Sequence, residues 1–407
     1  MCTTFKTISL IMLTIFHYYL SFGNSSTIIT EIKSEEIEMH VFREFAAGLS
    51  LRTDLVKRER VSHDHIHEVI FAIQQTNVNK LEELLHDVSD PDSPNYGKHR
   101  SRDEIEAIAS NPASRNFLLQ FLENLGATIV SESMFGEYVT VEAPVSLWEN
   151  LFKTEFYIFH HTTEDSENVI ELVRALMYSV PATLHEHIAS VFQTVQMTQK
   201  LWGRPIIQRL RHTLSGIRTN AVENSISPKK LNRYYSIKNN TGTSMSSQLA
   251  FQSIGNQIST QDLKSFQDAF KLPRQNVSTF MGNGGDDHAC TSEPGICAES
   301  NLSMQYIMAI CQGSATTNWY TDMTNISGWL LAIANIENPP MVISITYGVT
   351  ESLVCASEFD AFNVQAIKLG LLGVTILVSS GGSQDLDVIF KFAYPETCVL
   401  NFSNYNN

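Results

Sequence analysis

The sequence predicts an α+β ferredoxin-like sandwich over residues 63–200, followed by an α/β domain with a largely parallel sheet over residues 226–407. Three observations predict this fold class. The length of 407 residues fits two or three domains. In the first half, the candidate elements follow the order strand, helices, two strands, helix, strand. In the second half, helices alternate with apolar strands, which is typical of a parallel sheet covered by helices on both faces.

The first half begins with a strand and three helices. His67–Ile73 alternates like a strand, and Asn77–Asp87 carries an apolar stripe at helical spacing. Ser101 and Glu104 form a capping box that begins the second helix. A third helix is predicted over Ala113–Leu125, ending at the following glycine, the residue most tolerant of a left-handed turn.

The rest of the first half supplies the remaining strands. Ala127–Ser131 and Glu137–Glu142 are predicted as strands, and Pro144 is placed to begin a short helix. Glu155–His160 alternates again and is predicted as the final strand of the sheet. This order is that of a split β-α-β, ferredoxin-like sandwich.

The second half reads as six regular elements of alternating type. They are strand Leu249–Ser253, helix Gln261–Phe270, helix Ala298–Cys311, strand Met341–Thr346, helix Ser357–Leu369 and strand Val374–Ser379.

The segments outside these domains have distinct compositions. Residues 1–23 resemble a signal peptide, since Lys6 precedes an apolar run that is short and interrupted by polar residues. A membrane anchor is the alternative; with the signal cleaved, no anchor is expected, because no later segment is long and apolar enough. Residues 24–62 are predicted to be a polar spacer. Residues 201–225 carry four arginines and are predicted to be an exposed linker, either processed or simply solvated.

Charge and cysteine usage narrow the class of protein. The formal charge of −15, from 43 acidic and 28 basic residues, argues against a general nucleic-acid binder. Five cysteines remain after the signal, all in the second half, so one thiol is left unpaired. Cys290 and Cys297 could close a short loop, but the sequence does not fix the pairing.

Several motifs are shared with one family. VSDPDSPNYGKH (Val88–His99) and YSVPATL (Tyr178–Leu184) lie in the first half, and PMVISITYG (Pro340–Gly348) lies in the second. Around Glu299, the run ESNLSMQYI resembles the E-x-N-L-D-x-Q-Y-I stretch of sedolisins, the serine-carboxyl peptidases. The resemblance implies that residues 63–200 are an activation propeptide and that residues 226–407 are the N-terminal part of a subtilisin-like peptidase domain.

The resemblance also implies a catalytic carboxylate pair, which is altered here. In sedolisins a Glu and an Asp four residues later activate the serine; Glu299 retains the base position, but Ser303 replaces the Asp. A serine cannot carry the negative charge that tunes a neighbouring carboxylate. The alternative role of Glu299 is that of an acidic residue in the first turn of a helix, where the helix dipole favours it.

Two further catalytic positions depart from the family pattern. Gly382 stands where the family has the Asp that donates to the oxyanion, and Asp385 and Asp387 are out of register. The family's nucleophilic serine, its calcium site and the rest of its sheet lie beyond the position that corresponds to Asn407. The second domain is therefore expected to be incomplete in this chain. Asn240–Met245 mimics the serine motif but is interpreted as a glycine-containing loop.

Other candidate sites are weaker. His63, His65 and His67 alternate and could share a strand face as a metal cluster, although an exposed strand edge is favoured because no carboxylate or cysteine partner is evident. Gly282–His288 offers oxygen ligands without the spacing of a calcium loop. No cofactor is expected within this chain.

These observations leave three hypotheses about function. The first is a truncated sedolisin of the secretory pathway, lysosomal or extracellular, that lacks peptidase activity. The second is a working acid peptidase acting on peptide or protein substrates and only partly represented by this sequence. The third is a propeptide-like protein that inhibits or chaperones an active paralogue. The incomplete sheet also predicts poor stability of the second domain.

Overall fold

The computed structural model describes residues 39–162, 169–197, 226–238, 241–242, 247–252, 258–282, 290, 297–320, 332, 335–345 and 354–378. Residues 40–197 are called the N-terminal region below, and residues 226–378 are called the C-terminal region.

The N-terminal region is built on a four-stranded antiparallel sheet. Its strand order is β4-β5-β3-β9. In chain order the strands are β3 (Ile66–Ile73), β4 (Thr128–Glu132), β5 (Tyr138–Pro144) and β9 (Ile188–Phe192). Strand β3 lies inside the sheet, where Val69 pairs with Val141 and Ile70 pairs with Phe192. Its last five residues, Val69 to Ile73, are all buried.

Five helices connect these strands: α1 (Val78–Ser89), α2 (Arg102–Ala109), α3 (Pro112–Leu125), α4 (Val145–Phe152) and α5 (Ala182–His185). The predicted capping box is confirmed, because Ser101 accepts from the backbone of Glu104 while Glu104 accepts from the backbone of Ser101. Gly126 ends α3 with a positive φ of 79°, as the sequence predicted.

Two smaller sheets lie beside the four-stranded sheet. Strands β2 (Leu55–Arg60), β6 (Phe156–Thr162) and β7 (Val169–Ala175) form one, and strands β1 (His40–Phe45) and β8 (Met177–Pro181) form the other. Two predictions are corrected here. The predicted spacer over residues 24–62 contains strands β1 and β2. The predicted final strand, Glu155–His160, belongs to β6, which pairs with β2 and β7 rather than with β3.

A continuous apolar core fills the N-terminal region. Phe71 of β3 lies 6.1 Å from Trp148 of α4, measured between ring centroids, and Trp148 stacks on Phe152 at 5.6 Å. Phe152 meets Tyr178 of β8 edge-on at 5.8 Å. Because one aromatic cluster joins the main sheet, α4 and the β1–β8 pair, these parts share a single core.

The C-terminal region contains a five-stranded sheet in the order β11-β12-β10-β13-β14. In chain order the strands are β10 (Ser247–Gln252), β11 (Thr279–Met281), β12 (Ala315–Tyr320), β13 (Val342–Ile345) and β14 (Thr375–Val378). Its pairings are all parallel. The helices are α6 (Pro228–Tyr234), α7 (Thr260–Ala269), α8 (Ala298–Ile310) and α9 (Ala356–Leu371). Mixed α/β content is therefore confirmed, with parallel pairing confined to this region and antiparallel pairing in the three N-terminal sheets.

The two regions share apolar contacts. One buried cluster combines Ile70, Ala72, Tyr138 and Phe192 of the N-terminal sheet with residues of β12, β13, β14 and α9. Helix α9 supplies Phe362 and Leu369 to this cluster. Among the described residues, no helix combines the length and apolar content needed for a bilayer crossing.

Candidate functional site

Helix α8 carries the altered carboxylate motif. Glu299 and Ser303 lie four positions apart on this continuous helix, a spacing that places two positions on one helical face. The disulfide between Cys290 and Cys297 fixes the residue that immediately precedes the helix. Cys297 is completely buried. The short loop that the sequence allowed is thus the pairing found, and Cys311 and Cys355 are free thiols; Cys398 lies outside the described residues.

Helix α8 is held by α7. The Asn301 side chain accepts a hydrogen bond from the Ser259 amide at 2.8 Å and donates to Asp262 at 3.0 Å. Met304 and Met308 pack on Ile258 and Leu263. Leu302, on the same helix, is 56% exposed.

The other predicted catalytic positions lie mainly outside the described residues. Gly382, Asp385 and Asp387 lie outside the described residues, as does Ser244 of the serine-like motif. Gly242 of that motif is described, and its backbone N–H donates to the carbonyl of Gln312. A Cβ at position 242 would lie 2.8 Å from Cα of Ser314, so the backbone packing itself explains this glycine.

Helix α9 is the main contact between the two regions. Ile367 and Leu371 on α9 pack against Leu81 and Leu85 of α1 and against Ile105 of α2. Gly370 allows close approach, since a Cβ there would lie 2.7 Å from a methyl carbon of Leu85.

A buried charge cluster lies on the side of α9 that faces the N-terminal region. The Lys368 ammonium donates to both carboxylate oxygens of Glu106 at 3.0 Å and to the carboxylate of Glu137. Gln365, one turn earlier, donates to Glu137 at 3.3 Å and to the Tyr138 hydroxyl at 3.4 Å. Burial and repulsion by Glu137 raise the pKa of Glu106. We call Glu106, Glu137, Gln365 and Lys368 the Lys368 cluster.

The N-terminus of α9 is capped by a residue of β1. Glu44 accepts hydrogen bonds from the backbone amide of Ser357 at 3.0 Å and from its hydroxyl at 2.7 Å. Glu358 accepts from the amide of Cys355 at 3.1 Å. Burial, with repulsion by Glu44, raises the pKa of Glu358 to about 8, so this side chain is largely protonated at neutral pH.

The motif Val88–His99 reaches the other end of α9. The Arg100 amide donates to the carbonyl of Leu371 at 2.8 Å. The His99 ring lies against Gly373, which has a φ of +90°, and a Cβ there would lie 2.8 Å from the ring. The motif therefore ends in a direct contact with the C-terminal region.

Inside the N-terminal region, His67 is buried beside a cation. Its Nε2 pairs with the carbonyl of Gln193 at 2.8 Å, and Arg174 donates to the side chain of the same glutamine. Burial and the charge of Arg174 lower the pKa of His67 to about 4. His63 and His65 are exposed instead. Within the described ranges no group of His, Cys, Asp or Glu is placed to bind a metal ion.

The structure thus docks the N-terminal region on α9 and places Glu299 and Ser303 on α8. Sequence reasoning missed the docking residues Glu44, Glu106, Glu137 and Lys368. One signal was available, because Lys368 interrupts the apolar run AIKLGLL near the end of α9.

Comparison with known proteins identifies the class of protein. Residues 53–197 match the family model "Pro-kumamolisin, activation domain", which is the part of the chain that docks on α9. The chain therefore combines an activation domain with a following α/β region.

Two curated relatives match most of this chain. Physarolisin of Physarum polycephalum is 28% identical over 352 residues, covering 82% of this chain and 56% of that protein. Tripeptidyl-peptidase 1 of Homo sapiens is 25% identical over 333 residues, covering 77% of this chain and 55% of that protein. The chain spans about half the length of the curated relatives it matches.

One solved structure is also similar, a Pseudomonas sedolisin (serine-carboxyl proteinase) complexed with two molecules of pseudo-iodotyrostatin. It is 21% identical, covers 40% of this chain and 45% of that chain, and has a TM-score of 0.31. The activation-domain match and these relatives together show that the chain is similar to the sedolisin family over most of its length.

Proposed function

We propose that this chain is a sedolisin-type proenzyme unit of the secretory pathway, lysosomal or extracellular, that is related to peptidases releasing N-terminal tripeptides but does not itself hydrolyse peptide bonds. The observation that carries the proposal is Ser303, which lies on α8 where the family motif has aspartate. A hydroxyl at this position cannot hold or share a proton with Glu299 as a second carboxyl group would.

The expected loss of activity is large. In hydrolase triads, replacement of the orienting carboxylate lowers the rate about ten-thousandfold. Gly382 adds to this effect, because loss of one oxyanion donor lowers the rate by roughly a hundred- to a thousandfold. Both positions lie inside the stretch whose sequence resembles sedolisins, so the proposed loss of activity does not depend on where the chain ends.

The test is an activity assay on the purified 407-residue chain in acid. Tripeptide release from a model peptide is measured by mass spectrometry, and a serine-directed phosphonate reports any activated serine. We expect neither release nor labelling above the level of the matched variant Glu299→Gln. Release or labelling that disappears in Glu299→Gln would overturn the proposal.

A working acid peptidase is the second candidate, favoured by the retained Glu299 and its flanking residues. It predicts tripeptide release that depends on Glu299 and increases in Ser303→Asp. The same assay therefore separates the two candidates.

An inhibitor of an active paralogue is the third candidate. The surface that such a protein would use is covered here by its own α9, which argues against it. This candidate predicts capture of an active sedolisin at neutral pH, and a pull-down without that partner would remove it.

A further inference from the structure

The Lys368 cluster is almost completely enclosed between the activation domain and α9. The side chains of Lys368, Glu106 and Glu137 are 1%, 5% and 2% exposed. Water therefore contributes little to solvating these charges, and their own hydrogen bonds must do so.

The hydrogen bonds in the cluster leave two acceptors without a donor. Lys368 and Gln365 both donate to one carboxylate oxygen of Glu137, namely Oε1. Among the described residues, nothing donates to the buried Oε2 of Glu137 or to the buried Oε1 of Gln365. An ionised carboxylate oxygen that is buried without a donor is unfavourable, because it has lost its hydrogen bonds to water.

The charges in the cluster also indicate that something is missing, because they do not balance. Two carboxylates face one ammonium. The nearby cation is Arg102 of α2, which donates to the carbonyl of Ile336 at 2.8 Å and lies 5.9 Å from the Phe135 ring centroid. The remaining titratable neighbour is the Tyr138 hydroxyl, whose pKa is raised by burial and which is therefore neutral.

We propose that the activation domain docks on α9 by binding Lys368 together with one proton, which the Glu106–Glu137 carboxyl pair holds in the docked state. Carried by Oε2 of Glu137, this proton converts a buried acceptor without a donor into a hydroxyl, and it makes one ammonium balance one carboxylate. The raised pKa of Glu106, caused by burial and by Glu137, supports this assignment. The inference rests on the proposed proenzyme, in which the activation domain is docked on α9. It does not rest on the chemistry at Glu299.

Proton uptake fixes the direction of the pH effect. A carboxyl group whose pKa is higher in the docked state than in the free state favours docking below the free pKa, and this contribution is lost as pH rises through the docked pKa. Docking should therefore strengthen as pH falls from neutral toward the pKa of an ordinary glutamate. A whole proton changes the docking equilibrium by about tenfold for each pH unit in that window.

The test measures docking in the full chain. Hydrogen exchange followed by mass spectrometry gives protection factors for α9, corrected for intrinsic exchange, at neutral and mildly acidic pH. All the chains compared carry Glu358→Gln, because Glu358 on α9 also has a raised pKa. Docking in this background should strengthen with acid, up to about tenfold per pH unit. Glu137→Gln, which keeps the shape and supplies N–H donors, should retain docking and lose most of this dependence. Glu83→Gln, at an exposed ion pair with Lys80, is the matched control and should behave as the parent.

A second readout does not depend on stability. Infrared difference spectra should show the carbonyl stretch of a protonated carboxyl group at neutral pH in the parent chain and its loss in Glu106→Gln or Glu137→Gln. The proposal is overturned if no such band is lost, or if Glu137→Gln keeps the pH dependence of the parent. Neither readout uses peptide cleavage, so the result is independent of whether the chain is active.

Discussion

The activation domain and the C-terminal region differ in how they build their cores. Of the eleven largest fully buried side chains among the described residues, ten belong to the activation domain, and the eleventh is Lys368, buried against that domain. The activation domain has its own aromatic core, whereas the apolar residues of the parallel sheet share a cluster with Ile70 and Phe192 of the activation domain.

This difference indicates that the stability of the C-terminal region depends on the activation domain more than the reverse. The activation domain supplies every buried residue of its main core except Cys355, whereas the C-terminal region completes part of its core only by docking. We therefore expect α9 and the adjoining strands to unfold whenever the activation domain unfolds.

The largest expected effect comes from a substitution in the aromatic core of the activation domain. Trp148→Ala removes a side chain that is completely buried and whose indole donates to the carbonyl of His67. It should destabilise the activation domain by about 3–5 kcal/mol in urea unfolding. Hydrogen-exchange protection of α9 should fall with it, although Trp148 is not in the clusters that α9 joins.

The matched control for this prediction is Val130→Ala, at a side chain 51% exposed on β4. It should change stability by about 0.5 kcal/mol or less. If α9 stays protected while the Trp148→Ala activation domain unfolds, the C-terminal region folds independently and the comparison fails.

The two regions also respond differently to pH. Glu358 of α9 has a raised pKa, so its contribution to stability is full below the unfolded value of 4.5 and is lost as pH rises toward about 8. Glu358→Gln preserves the acceptor for the Cys355 amide and should remove this loss. As pH rises across that window, the free energy of unfolding of the variant should increase relative to that of the parent by at most about 1.4 kcal/mol per pH unit.

Thermal unfolding at a series of pH values checks this expectation. Glu123→Gln, at an exposed position on α3, is the control and should follow the parent. A parent and a Glu358→Gln variant whose stabilities differ by the same amount at every pH would contradict it.

His67 in the activation domain responds in the opposite direction and over a narrower window. The pKa of His67 is lowered to about 4. Its contribution to the stability of the fold is therefore full above the unfolded-state pKa of 6.5 and is lost as pH falls toward 4. His67→Phe, beside the ring of Phe156, should remove this loss, which amounts to about 3 kcal/mol. His63→Asn, at an exposed position, is the control and should leave the pH profile unchanged.

The check is chemical denaturation at neutral pH and near pH 4. A His67→Phe chain that loses as much stability in acid as the parent would remove His67 as an acid-sensitive group. If both titration predictions are correct, acid weakens the interior of the activation domain while it strengthens the contacts of α9.

Local patterns made several elements predictable from the sequence. Strand β3 has a run of apolar, β-branched residues, and α2 begins with a capping box that involves only neighbouring residues. The position of Glu299 and Ser303 on one helix also followed from local sequence. Such features need no knowledge of distant partners.

Other features depended on partners that the sequence does not specify. Strands β1 and β2 carry charged residues without a clear apolar alternation, so they were mistaken for a spacer. Strand β6 was recognised as a strand, but its pairing with β2 required a segment about a hundred residues away. The burial of Glu106 and Glu137 could not be predicted because single carboxylates are usually exposed.

The contact between His99 and Gly373 links two positions that are 274 residues apart in the chain. Since the imidazole occupies the volume that a methyl group would need, a side chain at one position is compatible only with a smaller residue at the other. Homologous chains should therefore exchange these two residues in concert, and a hybrid that joins the first half of one homologue to the second half of another should fit poorly where the pair is mismatched.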